Sequence, residues 1–181
     1  MTIEGLREHR PEVLAELLDR FGPEIQTVAY VILRDAGDAE EALAETLLTA
    51  LERGHQLREE TALRAWLLRI AANRALAMRR RSVRILRLGS LPERSGSDAG
   101  FAGALDRAVL DDALADLTPR VRAAVALRYY ADLSVDEVAE ALGTSRNTVK
   151  TQLRIGLERL REHLRDKALE PAGLGAEAKH V

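Results

Sequence analysis

Apolar side chains recur every three to four residues along most of the chain, which is the period of an α-helix. Val13, Leu14, Leu17, Leu18 and Phe21 share one face, Gly22-Pro23 interrupts, and Ile25, Val28, Ala29, Val31 and Ile32 resume. Residues 11–34 therefore read as two helices or one broken helix. The next helix is predicted to start at Asp38, where Asp38 and Glu41 fit a capping box. It continues through Leu43, Leu47, Leu48 and Leu51 to about Glu52, with Gly54 as its stop. After a polar loop to Thr61, a helix is expected from about Ala62 to Arg81 or slightly beyond. Leu67, Leu68, Ala71, Ala75 and Met78 cover one side of it, and Trp66, Arg69, Asn73, Arg80 and Arg84 form a stripe on another.

The stretch "LGSLPERSGSDAGFAGA" at 88–104 breaks the pattern and reads as a flexible linker. Helical periodicity then returns over 105–115, 118–131, 134–142 and 145–166. It fades in the last residues, which are expected to fray. The pattern shows no internal repeat and no convincing strand. It predicts an all-α protein of two small helical domains, 1–87 and 105–166, joined by the linker 88–104 and followed by a flexible tail, 167–181.

Composition supports this reading: aromatics are only 3% and strong helix formers dominate. The absence of cysteine removes disulfides, thiol catalysis and Cys-based zinc sites. No apolar run approaches a membrane span and no signal core opens the chain, so the expected location is the cytoplasm. His9, His55, His163 and His180 are scattered, with no HExxH and no phosphate loop. An enzyme is not expected, nor a metal or other cofactor.

The net charge of −2 conceals strong segregation. Residues 35–60 carry eight acids (Asp35, Asp38, Glu40, Glu41, Glu45, Glu52, Glu59, Glu60) against Arg53 and Arg58. Residues 64–87 carry eight arginines and no acid, and residues 143–165 carry six Arg/Lys against Glu158 and Glu162. Blocks of this kind suit a partner of opposite charge. A run of arginines without acids suits phosphates.

"LSVDEVAEALGTSRNTVKTQLRIGLERLREHL" has the grammar of a helix-turn-helix. Ser134 and Glu137 make a capping box, Ala139 permits close helix crossing, and Gly143 suits a turn with positive φ. Ser145 or Thr144 opens the second helix, with Val149 and Leu153 inward and Leu157, Leu160 and Leu164 packing backward. Arg146, Asn147, Lys150, Thr151, Gln152 and Arg154 face outward, where a helix in the major groove reaches bases and phosphates. Thr118-Pro119 starts the helix upstream. "LTPRVRAAVALRYYADLSVDEVAEALGTSRNTVKTQL" resembles both region four of bacterial sigma factors and the DNA-binding domain of LuxR-type regulators.

The first half separates those families. "LLDRFGPEIQTVAYVILRDAGDAEEALAETLLTAL" and "LRAWLLRIAANRAL" resemble region two of extracytoplasmic-function (ECF) sigma factors. The resemblance covers about 11–85 and 105–165. It implies core RNA polymerase, with its β′ and β subunits, as a partner, and docking of the acidic helix on a coiled coil of β′, with Asp38, Glu41, Glu45 and Leu48 on the docking face. It implies capture of the −10 promoter element as single strand by the arginine-rich helix, through Arg69, Asn73, Arg80 and Arg84. Asn73 takes the position that binds a flipped base, and His55, Gln56 and Arg58 could complete the pocket. Trp66, beside Leu67 and Leu68, belongs with the core. The −35 element would be read as duplex by Arg146, Asn147, Lys150, Thr151, Gln152 and Arg154. An anti-sigma protein is a further implied partner. The acidic helix departs from the family pattern, with Ala44 in place of the usual glutamine and Leu47 and Leu51 where aromatics are common. The alternative is a stand-alone helix-turn-helix regulator that never binds polymerase.

Overall fold

The computed structural model describes residues 3–87 and 111–169. The linker placed at 88–104 lies outside the described residues, as do most of the expected tail and the start of the helix expected at 105–115. The described residues form α1 (Ile3–Arg7), α2 (Glu12–Leu33), α3 (Ala36–Arg53), α4 (Leu63–Arg87), α5 (Pro119–Val125), α6 (Val135–Ala141) and α7 (Arg146–Leu169). Residues 111–115 are also helical, and a π-helical turn, Ala126–Tyr130, follows α5. No strand occurs among the described residues.

In the first half α2, α3 and α4 pack on one another around Leu17, Ile25, Val28, Ile32, Ala42, Leu47, Leu67, Leu68 and Ala71. Pro23 does not break α2, which is continuous. The proline removes the donor for the Asp19 carbonyl, but Asp19 is exposed and water can replace it, while Ile25 and Val28 hold the next turn in the core. The α3 start also differs from expectation. Asp35, not Asp38, is the N-cap: its carboxylate accepts from the Asp38 backbone N–H at 2.9 Å. Gly54 is the C-cap of α3, where the stop was expected, but in a right-handed conformation (φ −55°) and not a left-handed turn. It continues into a 3-10 turn, Gly54–Gln56, because the chain there lies against α1, where a Cβ would stand 2.8 Å from the Leu6 carbonyl oxygen.

The second half gathers α5, α6 and α7 around Val121, Leu127, Val138, Val149 and Leu153. The local signals are met: Thr118 caps α5 with Pro119 in its first turn, the Ser134–Glu137 capping box is closed from both sides, and Gly143 has φ +58°. Ser145 Oγ, rather than Thr144, accepts from the Thr148 N–H to open α7. Gly156 lets α7 approach α5, since a Cβ there would meet Val125 at 2.6 Å. Leu164, expected to pack backward, is 52% exposed, whereas its neighbour His163 still reaches Asp116 at 3.5 Å.

The two halves meet along a seam. α4 packs on α5 and α6, and α2 packs on α5 and the π turn, so one buried apolar cluster spans both.

The capping box makes a pH prediction. Two hydrogen bonds from Ser134 hold the Glu137 carboxyl below its ordinary 4.5. A folded pKa below the unfolded one gives stability that is present above pH 4.5 and lost as pH falls through the lowered value. The stability difference between wild type and Glu137→Gln, read by urea denaturation, is therefore expected to be present at pH 7 and to shrink below pH 4.5. A pH-independent difference would contradict this assignment.

Candidate nucleic-acid interface

α4 presents its apolar side to the core: Leu63, Leu67, Leu68, Ala71, Ala72, Ala75 and Leu76 are buried. Its polar side opens on a cleft of about 520 Å³ lined by Thr49, Arg53, Gln56, Trp66, Arg69, Ile70, Asn73, Arg74 and Ala77. The cleft offers a tryptophan face, the Asn73 and Gln56 amides and three arginines. That is the chemistry for an unstacked base with its phosphates: a π surface for stacking, donors and acceptors for a base edge, and positive charge for the backbone. Of the three loop residues expected here, Gln56 lines the cleft, and His55 and Arg58 do not. Trp66, expected in the core, is half-buried and lines both this cleft and a smaller one of about 250 Å³. The smaller cleft lies on the seam, bounded by Leu57, Thr61, Ala62, Ala65 and Arg69 and, from α6, by Glu137, Glu140 and Ala141.

The arginines of α4 do not form one open strip, as the sequence reading expects. Three are turned toward protein oxygens. Arg64 pairs with both carboxylate oxygens of Glu24 and donates to the Ala131 carbonyl at 2.7 Å. Arg69 Nη1 meets Glu140 at 2.7 Å, and Arg74 reaches Thr49 Oγ1 at 3.0 Å and Glu45 at 3.6 Å. Asn73 Nδ2 donates to the Ala141 carbonyl at 2.9 Å and to the Arg69 carbonyl at 2.9 Å. The end of α6 thus occupies the donor proposed for a base. The reason is charge and desolvation: no acid exists on α4, so its cations draw acids and carbonyls from elsewhere in the fold. Arg80, Arg81 and Arg84 remain exposed.

On α7, Arg146, Asn147, Lys150, Thr151 and Arg154 are exposed along one face. Gln152 is half-buried, with an Oε1 that has no partner. Arg146 pairs with Asp136 of α6 at 2.7 Å, and Arg154 with Glu158 at 3.0 Å. Both pairs are exposed and so exchange readily for phosphates. On α3, Glu41 and Leu48 are exposed and Asp38 and Glu45 half-buried. Leu48 at 55% and Leu18 at 48% are among the large apolar residues left in solvent. Glu45 is shared with Arg74, so the acidic face is less open than its sequence implies.

Arg122 was not foreseen. It is 3% exposed and donates to the Leu114 carbonyl at 3.0 Å. Burial, followed by the charges of Arg79 and Arg34, pulls its pKa down to about 10. No sequence signal distinguishes it from the exposed Arg120 and half-buried Arg128 nearby.

The seam contacts can be tested with Trp66, the single tryptophan. Arg64→Ala removes the bonds to Glu24 and Ala131, which are partly solvent-screened and together contribute on the order of 1 kcal/mol. Glu140→Lys replaces the Arg69 pair with repulsion. Both substitutions are expected to increase acrylamide quenching of Trp66 fluorescence. Unchanged quenching in both would show that these pairs do not hold the seam.

Comparison with known proteins agrees with the two-part architecture. Residues 17–85 match the family model for sigma-70 region 2, and residues 107–160 match that for sigma-70, region 4. The RNA polymerase sigma-E factor of Streptomyces avermitilis is 34% identical over 149 residues, 82% of this chain and 83% of that protein. The ECF RNA polymerase sigma factor SigL of Mycobacterium tuberculosis is 30% identical over 171 residues, 91% of this chain and 96% of that one. Among solved structures, the sigma factor RpoE in complex with the anti-sigma factor NepR from Bartonella quintana superposes with a TM-score of 0.71 at 25% identity, covering 85% of this chain and 97% of that one.

Proposed function

This chain belongs to the ECF sigma factors of bacterial RNA polymerase, and from that membership we propose how its own residues divide the work. Residues 1–87 form the unit that docks on core polymerase and handles the −10 element. Residues 105–166 form the unit that reads the −35 element. The stand-alone regulator reading is set aside, because residues 17–85 match sigma region 2, which such a regulator does not need. The role is promoter recognition, without catalysis by the chain itself, in the cytoplasm where polymerase works. No helix among the described residues is long and apolar enough to cross a membrane.

The observation that carries the reading is the cleft on α4, where Trp66, Asn73, Gln56 and Arg69 converge. A base leaving its stack costs a few kcal/mol, and stacking plus amide hydrogen bonds are the terms that repay it. Asn73 reads the base edge. Arg69 neutralises phosphate beside the cleft, and the exposed Arg80 and Arg84 extend that positive charge along the strand. On α3, Asp38, Glu41, Glu45 and Leu48 present acid around an exposed leucine, suited to a basic helical surface of the β′ subunit. Arg146, Asn147, Lys150, Thr151, Gln152 and Arg154 enter the major groove from α7, with region 4 supported on the β subunit.

In the closed arrangement α6 borders this cleft, accepting from the Asn73 amide through the Ala141 carbonyl and pairing with Arg69 through Glu140. Productive binding requires the Asn73 to Ala141 hydrogen bond and the Arg69 to Glu140 pair to be exchanged for nucleic acid. Free and engaged forms therefore differ at the seam, not inside either half. A protein that holds the seam shut, as an anti-sigma partner would, keeps the cleft covered.

Two substitutions test the division. Asn73→Ala is expected to reduce open-complex formation about five- to 150-fold, from about 1–3 kcal/mol of lost base recognition, while leaving the affinity for core polymerase intact. An equal loss of both would remove the assigned role. Arg154→Glu is expected to weaken binding to duplex −35 DNA and to lower the salt dependence of that binding by about one unit of slope, read by fluorescence anisotropy. Unaltered duplex affinity would show that α7 is not the reader.

A further inference from the structure

The seam holds a second group of cations that the promoter reading leaves unused. Arg34 stands at the C-terminal end of α2, Arg79 on α4 and Arg122 on α5. Arg34 adopts φ 59°, ψ 34°, a left-handed conformation that glycine or asparagine ordinarily takes at a helix end. The Nε atoms of all three arginines are buried and have no hydrogen-bond partner. Arg122 is almost wholly buried, and among the described residues no carboxylate pairs with it or with the half-buried Arg34 and Arg79. Their charges bear on one another, for Arg79 and Arg34 both disfavour the charged form of Arg122. Arg79 also lies six residues beyond Asn73 on α4, about 9 Å along the axis and about 240° around it, so it is set apart from the base cleft.

Three guanidinium groups at the seam, one almost wholly buried and two half-buried, with no carboxylate among the described residues paired to them, oppose the packing that draws them in. Planar guanidinium forks from different helices suit a multivalent tetrahedral oxyanion, which accepts several charge-assisted hydrogen bonds at once. We propose that Arg34, Arg79 and Arg122 bind a phosphate-class oxyanion at the seam between the two halves. The half-buried Arg34 and Arg79 grip it from the solvent side, and Arg122 supplies positive charge from beneath. The burial of Arg122 selects a small free anion or the terminal phosphate of a small molecule. A nucleic-acid backbone, with sugars flanking every phosphate, stays at the surface.

The consequence is regulatory. Arg34 and Arg79 belong to the first half and Arg122 to the second, so a bound anion ties the halves together. By linkage, any ligand that prefers the closed seam weakens every partner that needs it open. The anion would thus lower the affinity of the chain for polymerase and promoter without touching either interface.

The test uses the full chain with inorganic phosphate and pyrophosphate as probes, at ionic strength held constant with sodium chloride. Binding is followed by calorimetry and by the thermal midpoint. Wild type is expected to bind pyrophosphate and gain thermal stability with its concentration. Arg34→Gln and Arg79→Gln are expected to weaken that binding at least about tenfold. In anion-free buffer both variants should be at least as stable as wild type, because a repelling charge is gone. Arg81→Gln, an exposed neighbour on α4, is expected to bind as wild type does. A short single-stranded DNA serves as the other source of phosphate. Its binding is expected to be insensitive to Arg34→Gln and Arg79→Gln. No pyrophosphate binding, equal stabilisation of every variant, or a loss confined to DNA binding would each overturn the proposal.

Discussion

A helix with eight arginines and no acid cannot balance its own charge, and this constraint shapes the molecule. Burying the apolar side of α4 brings its cations close to the protein, and each must find an acid, a carbonyl or water. Arg64 takes Glu24 and the Ala131 carbonyl, Arg69 takes Glu140, and Arg74 takes Thr49 and Glu45. These partners come from α2, α3 and α6 and from the turn before α6, so the unbalanced helix becomes the point to which the rest of the fold is tied. The acidic bias of residues 35–60 is met in part from within, through Glu45 and Arg74.

The same constraint bears on how the proposed site would work. If α4 takes phosphates as proposed, the contacts that satisfy it in the absence of DNA must be weak enough to exchange. Arg69 and Glu140 are both substantially exposed, and exposed pairs contribute little net stability. Asn73 gives its amide to a backbone carbonyl, a neutral bond of modest net worth. Both contacts can be exchanged for nucleic acid at little cost. The apolar part of the seam, by contrast, is continuous with the core and sets how far the closed form is favoured. Polymerase or promoter has to supply that difference, and an inhibitor needs only to add to it.

How much of this was legible in the sequence depends on range. Thr118-Pro119, Ser134 with Glu137, and Gly143 act within four residues of themselves, and each appears where the local pattern put it. Pro23 was ambiguous because its cost is local while the packing that outweighs it, at Ile25 and Val28, is tertiary. The α3 cap was misplaced by three residues since Asp35 and Asp38 are equally good caps in isolation. The cleft on α4 was half legible: Asn73 and Gln56 line it together, as their spacing suggested, but Trp66, placed with the core, lines it too. It also shares the smaller cleft with α6, which lies some seventy residues away in sequence. Arg122 and the seam were not legible at all. A charge pattern names which residues need partners but not which long-range partner each will find.

In the function proposed above, the free chain is closed at the seam and opens when it engages polymerase and promoter. The chain has no native cysteine, so labels can be placed cleanly at Asp19→Cys on α2 and Glu162→Cys on α7, both exposed. The inter-label distance, measured by electron spin resonance, is predicted to be single in the free protein and to shift on addition of core polymerase with promoter DNA. A distance unchanged in the transcriptionally competent complex would contradict a seam that opens.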